Sequence, residues 1–199
     1  MKRTRIFPVL LAAGRSQAFP IPKPLALFGG RTALEIAIDN CARLERPIVV
    51  LGSDAALVRK AIPDSTLVAV NSRWRSGQLS SLLAGLRMVP RDAAFLVYPV
   101  DLALVTRDLV NELAQAFLKR HSDQTVVIPI HNRRDGHPVI LAAELRRELQ
   151  QATTTREVVN RDPHRIKRVS VKTAAIWTDF DNQRSYAQLQ REFLKRTRD

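Results

Sequence analysis

The sequence predicts an α/β fold with a mainly parallel sheet. Three observations carry that prediction. Short apolar runs of strand length alternate with amphipathic stretches of helical period along the 199 residues. The runs are continuously apolar, as strands covered on both faces are. Proline, glycine and capping residues mark the boundaries between them.

The elements follow in order. Residues 6–13 form an apolar strand. Residues 32–44 carry Leu34, Ile36, Ala37, Ile38, Cys41 and Leu44 near helical spacing, opened by Thr32 and Glu35 as a capping box. Pro47 stops that helix. Residues 48–51 are a buried strand, after which Ser53-Asp54 starts a helix that Pro63 closes. The β-branched stretch 66–70 reads as a strand, and 79–88 as a helix ended by Pro90. Residues 94–97 are a strand leading into Tyr98-Pro99-Val100-Asp101. A helix over 106–119 has Asp108 in its first turn, where a negative charge suits the helix dipole. Strands over 125–128 and 138–141 flank a Gly136-His137 turn. Helices follow over 142–151 and 155–160, then a strand over 166–171. The closing helix over 182–195 has Tyr186, Leu189, Phe193 and Leu194 on one face. No repeat or linker divides residues 1–199, which read as one domain.

Composition narrows the function classes. Lys plus Arg total 32 against 19 Asp plus Glu, a formal charge of +13. Such charge suits nucleic acid, anionic membrane or phosphorylated small molecules. It is spread along the chain, and no nucleic-acid signature with interleaved aromatics accompanies it. The single cysteine, Cys41, excludes an internal disulfide and a multi-cysteine zinc site, and suits a reducing, cytoplasmic setting. No run reaches the ~20 apolar residues of a membrane span. The basic start Met1-Lys2-Arg3-Thr4-Arg5 precedes an apolar run, but Ala12-Ala13-Gly14 leads into a Pro-rich loop. We read a buried first strand there and not a signal peptide.

In open parallel sheets, ligands bind at the carboxyl ends of the strands. The loops after Ala13, Val70 and Val97 are therefore the places to search. The first, Gly14 to Leu25, offers small residues for close backbone approach to an anion, with Arg15 and Lys23 as positive charge. It is neither a P-loop nor a Rossmann glycine fingerprint. By spacing alone, a phosphate-binding loop and an ordinary strand-to-helix loop with surface lysines both fit. Asp101 lies just past a strand end and fits a metal ligand or a turn residue. Asp179 and Asp181 alternate on an extended stretch, so one of them faces any site. Asp181 also fits the N-cap of the last helix.

Five motifs in order carry a resemblance. Leu11-Ala12-Ala13-Gly14-Arg15-Ser16 is followed by Pro22-Lys23-Pro24-Leu25. Next come Asn71, Trp74, Gly77, Ser81 and Gly85-Leu86, then Pro99-Val100-Asp101, Gly136-His137-Pro138 and Asp179-Phe180-Asp181. Together they resemble the MobA-like nucleotidyltransferases, nearest the molybdenum cofactor cytidylyltransferase branch, over nearly the whole chain. The resemblance implies a Rossmann-like three-layer α/β/α fold of the nucleotide-diphospho-sugar transferase type. It implies transfer of a nucleoside monophosphate, CMP being favoured, from an NTP to a phosphorylated acceptor such as molybdopterin cofactor. Mg²⁺ would be held by Asp101 and Asp181, and Lys23 would neutralise phosphate charge. Ala12, Ala13, Gly14 and Arg15 would meet the nucleotide. Gln78 and Ser81 would read the base, with Gly77 allowing close approach. Trp74 and His137 are candidates for the acceptor pocket.

The chain also departs from that pattern. Ala18 stands where the family has an arginine, Pro20 where it has glycine, and Ala103 where a proline is typical. The Thr-Pro-Glu-Asp after the last Asp pair is replaced by Asn182-Gln183-Arg184-Ser185. A missing charge-assisted phosphate contact is worth about 1.5–3 kcal/mol. Two readings therefore stand: an active nucleotidyltransferase, or an impaired relative that binds nucleotide or pterin, or serves as a partner in molybdoenzyme maturation.

Overall fold

A computed structural model describes residues 4–15 and 18–197. Ser16 and Gln17 of the first loop, and Met1 to Arg3, lie outside the described residues. The predicted sheet is present. It runs through β1 (Ile6–Ala12), β4 (Ile48–Leu51), β5 (Leu67–Val70), β6 (Ala94–Pro99), β7 (Val126–His131), β8 (Arg134–Asp135), β9 (Val139–Leu141) and β10 (Ile166–Ser170). The strand order is β10-β7-β9-β6-β1-β4-β5, with β8 on β7. A separate hairpin joins β2 (Leu27–Phe28) to β3 (Arg31–Thr32).

β1 is central because every residue of it is apolar or proline and all seven are buried. It pairs in parallel with β4 and β6, with Leu11 level with Val50 on one side and Pro99 on the other. Its side chains alternate between two cores. Leu10 and Ala12 join one and Val9, Leu11 and Ala13 the other, as the two-residue period of a strand requires. The first core is covered by α1 (Ala33–Asn40), α4 (Arg107–Leu118) and α7 (Gln183–Arg196). The second is covered by α3 (Gln78–Leu86), α5 (Leu145–Gln151) and α6 (Thr155–Asn160). A short α2 (Ala55–Arg59) follows β4.

Capping explains where several helices begin. The Thr32–Glu35 box forms, with Glu35 N–H donating to the Thr32 hydroxyl at 3.1 Å and Thr32 N–H to the Glu35 carboxylate at 2.7 Å. Those hydrogen bonds hold the Glu35 carboxyl below its usual range. α7 is capped by Asn182, whose side chain accepts from Ser185 N–H at 3.0 Å. Asp181 is therefore not the cap and is free for other contacts.

Several boundaries differ from the sequence reading. The helix expected to reach residue 44 ends at Asn40, because the chain turns so that Glu45 N–H meets the Ile6 carbonyl. α2 stops at Arg59, ahead of Pro63, and α5 starts at Leu145. β7 runs on to His131 to pair with β8, which was not expected. β9 enters between β6 and β7 antiparallel to both, so the sheet is mixed but mostly parallel. No described helix is long and apolar enough to cross a membrane.

α3 lies close on β1 and β4 at Gly85. A Cβ there would sit 2.6 Å from Val9 Cγ1 and 2.8 Å from Val50 Cγ2. Both methyls belong to stiff, buried β-branched residues, so neither can swing away. Gly85→Ala is expected to lower unfolding stability by about 1–3 kcal/mol in urea titration, despite alanine's better helix propensity.

Candidate functional site

The site lies where β1 and β6 end side by side. A cleft of about 630 Å³ opens there. Its floor is the turn Ala12-Ala13-Gly14 at the end of β1 and Pro99-Val100-Asp101 at the end of β6. One wall is the first loop, which passes Ala18 and enters a turn of 3₁₀ helix at Lys23–Leu25. The other is the segment from Trp74 to Ser81, made of a 3₁₀ turn and the first turn of α3.

At the centre the Lys23 ammonium donates to two carboxylates. Nζ is 3.2 Å from Asp101 Oδ2 and 2.6 Å from Asp181 Oδ1. Burial pushes the Lys23 pKa down. The Asp101 charge and the hydrogen bonds to Asp181 and Asp101 outweigh it, so the value is raised and the lysine stays charged. Asp179 points elsewhere and does not line the cleft. Its carboxyl is pushed up by desolvation and by the nearby charges of Asp101 and Asp181.

An aromatic cluster brings Asp181 to Lys23 across 158 residues of sequence. Phe180, fully buried, meets Phe19 of the first loop edge-on at 5.1 Å and Phe28 of β2 at 5.5 Å. Tyr186 of α7 contacts the same two rings at 5.0 and 5.3 Å. Its hydroxyl donates to the Leu27 carbonyl at 2.7 Å and accepts from Leu27 N–H at 3.0 Å. Lys23 Nζ itself lies 5.5 Å from the Phe180 ring centroid. Apolar burial of these rings thus sets the position of the charges.

The second wall is shaped by Gly77, whose φ of +94° is a left-handed conformation that favours glycine. A Cβ there would meet nothing within 4 Å, so the backbone angle and not close packing calls for glycine. Asn71 braces the wall by donating to the hydroxyls of Ser80 at 2.8 Å and Ser81 at 3.0 Å. Gln78 is exposed at the start of α3.

Ala12, Ala13, Gly14, Arg15, Lys23, Trp74, Gly77, Gln78, Ser81, Asp101 and Asp181 all line this one cleft. His137 does not. It is half-buried beside β9, and its N–H donates to the Ile176 carbonyl at 2.7 Å. It is near enough to feel the Asp101 charge. Arg75 was missed in the sequence. Its guanidinium lies 4.4 Å from the Trp74 ring centroid and lines the cleft. Its position next to Trp74 was the available signal. Ala18 also faces the cleft, so the spot without an arginine is at the site itself.

Lys23 and its two carboxylates sum to one negative charge. Arg15 and Arg75 turn the lining net positive, which suits a polyanion. The carboxylates already converge on one cation position, that of the ammonium. Among the described residues no group of three or more metal-ligating side chains exists. Two converging carboxylates nevertheless fit Mg²⁺ or Mn²⁺, which take one or two carboxylates together with phosphate oxygens and water.

Sheet order, layers and cleft place the protein among Rossmann-like nucleotide-diphospho-sugar transferase folds. The chain belongs to the MobA-like NTP transferase domain family, which matches residues 8–169. It is similar in structure to Rv0371c from Mycobacterium tuberculosis H37Rv, with a TM-score of 0.82 and 23% identity over 94% of this chain and 98% of that one. A second structure of Rv0371c is a complex with manganese (TM-score 0.78). A nucleotidyl transferase from Methanothermobacter superposes with a TM-score of 0.80 and 22% identity, covering 96% of this chain and 99% of that one. In sequence, the bifunctional protein GlmU of Thermotoga maritima is 25% identical over 159 residues. That match covers 73% of this chain, and the chain spans 35% of GlmU's length.

Burial lowers the His137 pKa, only partly opposed by Asp101. The unfolded chain therefore takes up this proton more readily than the folded one. His137 contributes fully to stability above its unfolded value of 6.5, and less as pH falls toward the lowered folded value. Denaturation from pH 7.5 to 5 should show a loss of stability that shrinks in His137→Gln.

Proposed function

We propose that this protein is a divalent-metal-dependent nucleotidyltransferase, with CTP the favoured donor and a phosphorylated small molecule, such as molybdopterin cofactor, the acceptor. The observation that supports it most is the convergence of Lys23, Asp101 and Asp181 at the carboxyl edge of β1 and β6. In the reaction an acceptor phosphate oxygen attacks the α-phosphorus of the NTP. The bond from the α-phosphorus to the bridging oxygen breaks, and pyrophosphate leaves with that electron pair.

Asp101 and Asp181 would hold the metal, as the manganese complex of Rv0371c makes reasonable for this fold. When bound, such an ion shields the triphosphate and stabilises charge on the α-phosphate and the leaving pyrophosphate. The Lys23 ammonium, kept charged by its partners, would meet phosphate oxygens in the same place. The Ala12-Ala13-Gly14 turn would hold the nucleoside. A Cβ at Gly14 would meet nothing within 4 Å, so that side of the turn is open to a ligand. Gln78 is free to hydrogen-bond a base edge, whereas the Ser81 hydroxyl already accepts from Asn71 and keeps its proton and one lone pair. Trp74 and Arg75 form the wall facing Lys23. Arg75, oriented by the indole, would take a phosphate oxygen that Lys23 does not reach.

A second reading rests on Ala18. The cleft has methyl where the family has a phosphate-clamping guanidinium, which favours a relative that binds nucleotide without turning it over.

Calorimetric titration with CTP, GTP, ATP and UTP in Mg²⁺, paired with a pyrophosphate-release assay, separates the readings. Binding with release supports transfer, and binding without release supports the impaired relative. Lys23→Met and Asp101→Asn should each cut release at least ~100-fold, and Arg75→Ala should weaken NTP binding about tenfold. No response to any of the four nucleotides at millimolar concentration would overturn both readings.

A further inference from the structure

A second cavity, of about 690 Å³, lies beside the later part of α3, at Leu83, Leu86 and Arg87. Five arginines line it: Arg73, Arg87, Arg91, Arg146 and Arg147. They come from four places in the fold. Arg73 precedes the 3₁₀ turn, Arg87 follows α3, Arg91 lies in the turn before β6, and Arg146 and Arg147 lie on α5. They do not form the solvated face of a single helix, since several elements converge on one concavity.

Among the described residues no acidic side chain lines this cavity. Some arginines elsewhere are paired, Arg107 with Asp39, Arg165 with Glu148, Arg168 with Asp135 and Arg196 with Glu192, and what sets this cavity apart is that five converge on one concavity. α5 sorts its charges. Glu148 turns away to Arg161 and Arg165, and Glu144 acts on Arg120. Asp92, the nearest acid acting on Arg146, is ion-paired with Arg5 at 3.1 Å.

Arg146 is the anchor. Its guanidinium donates to the carbonyls of Leu86 at 3.1 Å and Pro90 at 2.8 Å, and lies 5.5 Å from the Phe95 ring centroid. The other four carry no ion pair or side-chain hydrogen bond among the described residues. Arg73, Arg87, Arg91 and Arg147 are exposed, so their guanidinium donors face solvent. The apolar part of the lining is Leu83, Leu86 and Val89.

We propose that this cavity is a second ligand site, distinct from the cleft, for a compact organic polyphosphate. Forked guanidinium groups match phosphate oxygens two at a time. The volume is that of a small-molecule pocket. The apolar lining would take the base or ring of such a molecule, which a bare phosphate would leave uncovered. An anion there would relieve the mutual repulsion of the arginines.

The test is hydrogen–deuterium exchange on the full chain, with metal-free ATP and with inorganic tripolyphosphate as probes. Peptides spanning residues 83–92 and 144–151 should gain protection with both, and ATP should bind more tightly of the two at this site. Arg87→Glu with Arg147→Glu should lose that protection and weaken binding at this site at least ~10-fold, while protection of residues 10–24 by CTP with Mg²⁺ persists. Arg43→Glu with Arg59→Glu, which makes the same charge change elsewhere, should do neither. Equal losses in both double variants would overturn the proposal in favour of a diffuse field. So would no protection of 83–92 and 144–151 in the parent protein. Duplex RNA or polyglutamate that protects these peptides when ATP does not would also overturn it, and would mark a macromolecular docking face. If these peptides respond while CTP with Mg²⁺ leaves the cleft peptides unchanged, the nucleotidyltransferase reading fails and this site stands.

Discussion

The site depends on one ammonium shared by two carboxylates. Asp101 and Asp181 repel each other, and Asp101 also loses solvation at the cleft floor. Lys23 makes their approach tolerable, and they in turn keep Lys23 protonated despite its burial. The trio joins three distant parts of the chain: the first loop, the end of β6 and the segment before α7. Its geometry is set from behind by apolar packing. Phe19, Phe28, Phe180 and Tyr186 fix the first loop, the β2–β3 hairpin and α7 against one another. Exposed ion pairs contribute little to stability by themselves, and Asp181 is largely exposed. The rings therefore hold the charges in place, not the reverse.

The same logic explains why the cleft is where it is. β1 and β6 are parallel neighbours in the middle of the sheet, so their carboxyl ends open side by side. Ala13 and Gly14 line the same cleft as the Asp101 carboxylate. An ion pair network that is already charged and already converging resembles a preorganised electrostatic site, in which little must rearrange when a polyanion arrives. Arg15 and Arg75 outweigh the one negative charge that the trio keeps.

Much of the fold was legible in the sequence because burial is written locally. β1, β4 and β6 read as strands from continuous apolar runs, and α1 and α4 from capping residues ahead of a periodic face. The β2–β3 and β8 pieces were not legible, because two-residue strands carry no period. The antiparallel entry of β9 between β6 and β7 was also hidden, since strand order is a matter of tertiary packing. Lys23, Asp101 and Asp181 were reached through motif resemblance, and nothing local links positions 78 and 158 residues apart. Arg75 and the arginine cavity escaped for the same reason. A guanidinium in a cleft looks like any surface arginine until its neighbours in space are known. The overall charge of +13 proved a poor guide, whereas the one concavity on which five arginines converge is informative.

The central claim is that the Lys23–Asp101–Asp181 trio is where the phosphates of a nucleotide and a divalent ion meet. A crystal structure of the protein with CTP and Mn²⁺ tests it most directly, since anomalous scattering locates the ion without ambiguity. The account predicts the ion on Asp101 and Asp181, with the triphosphate over Gly14 and Lys23 Nζ turned toward it. Ordered CTP or Mn²⁺ bound elsewhere, with Lys23 still bridging both carboxylates, would contradict it.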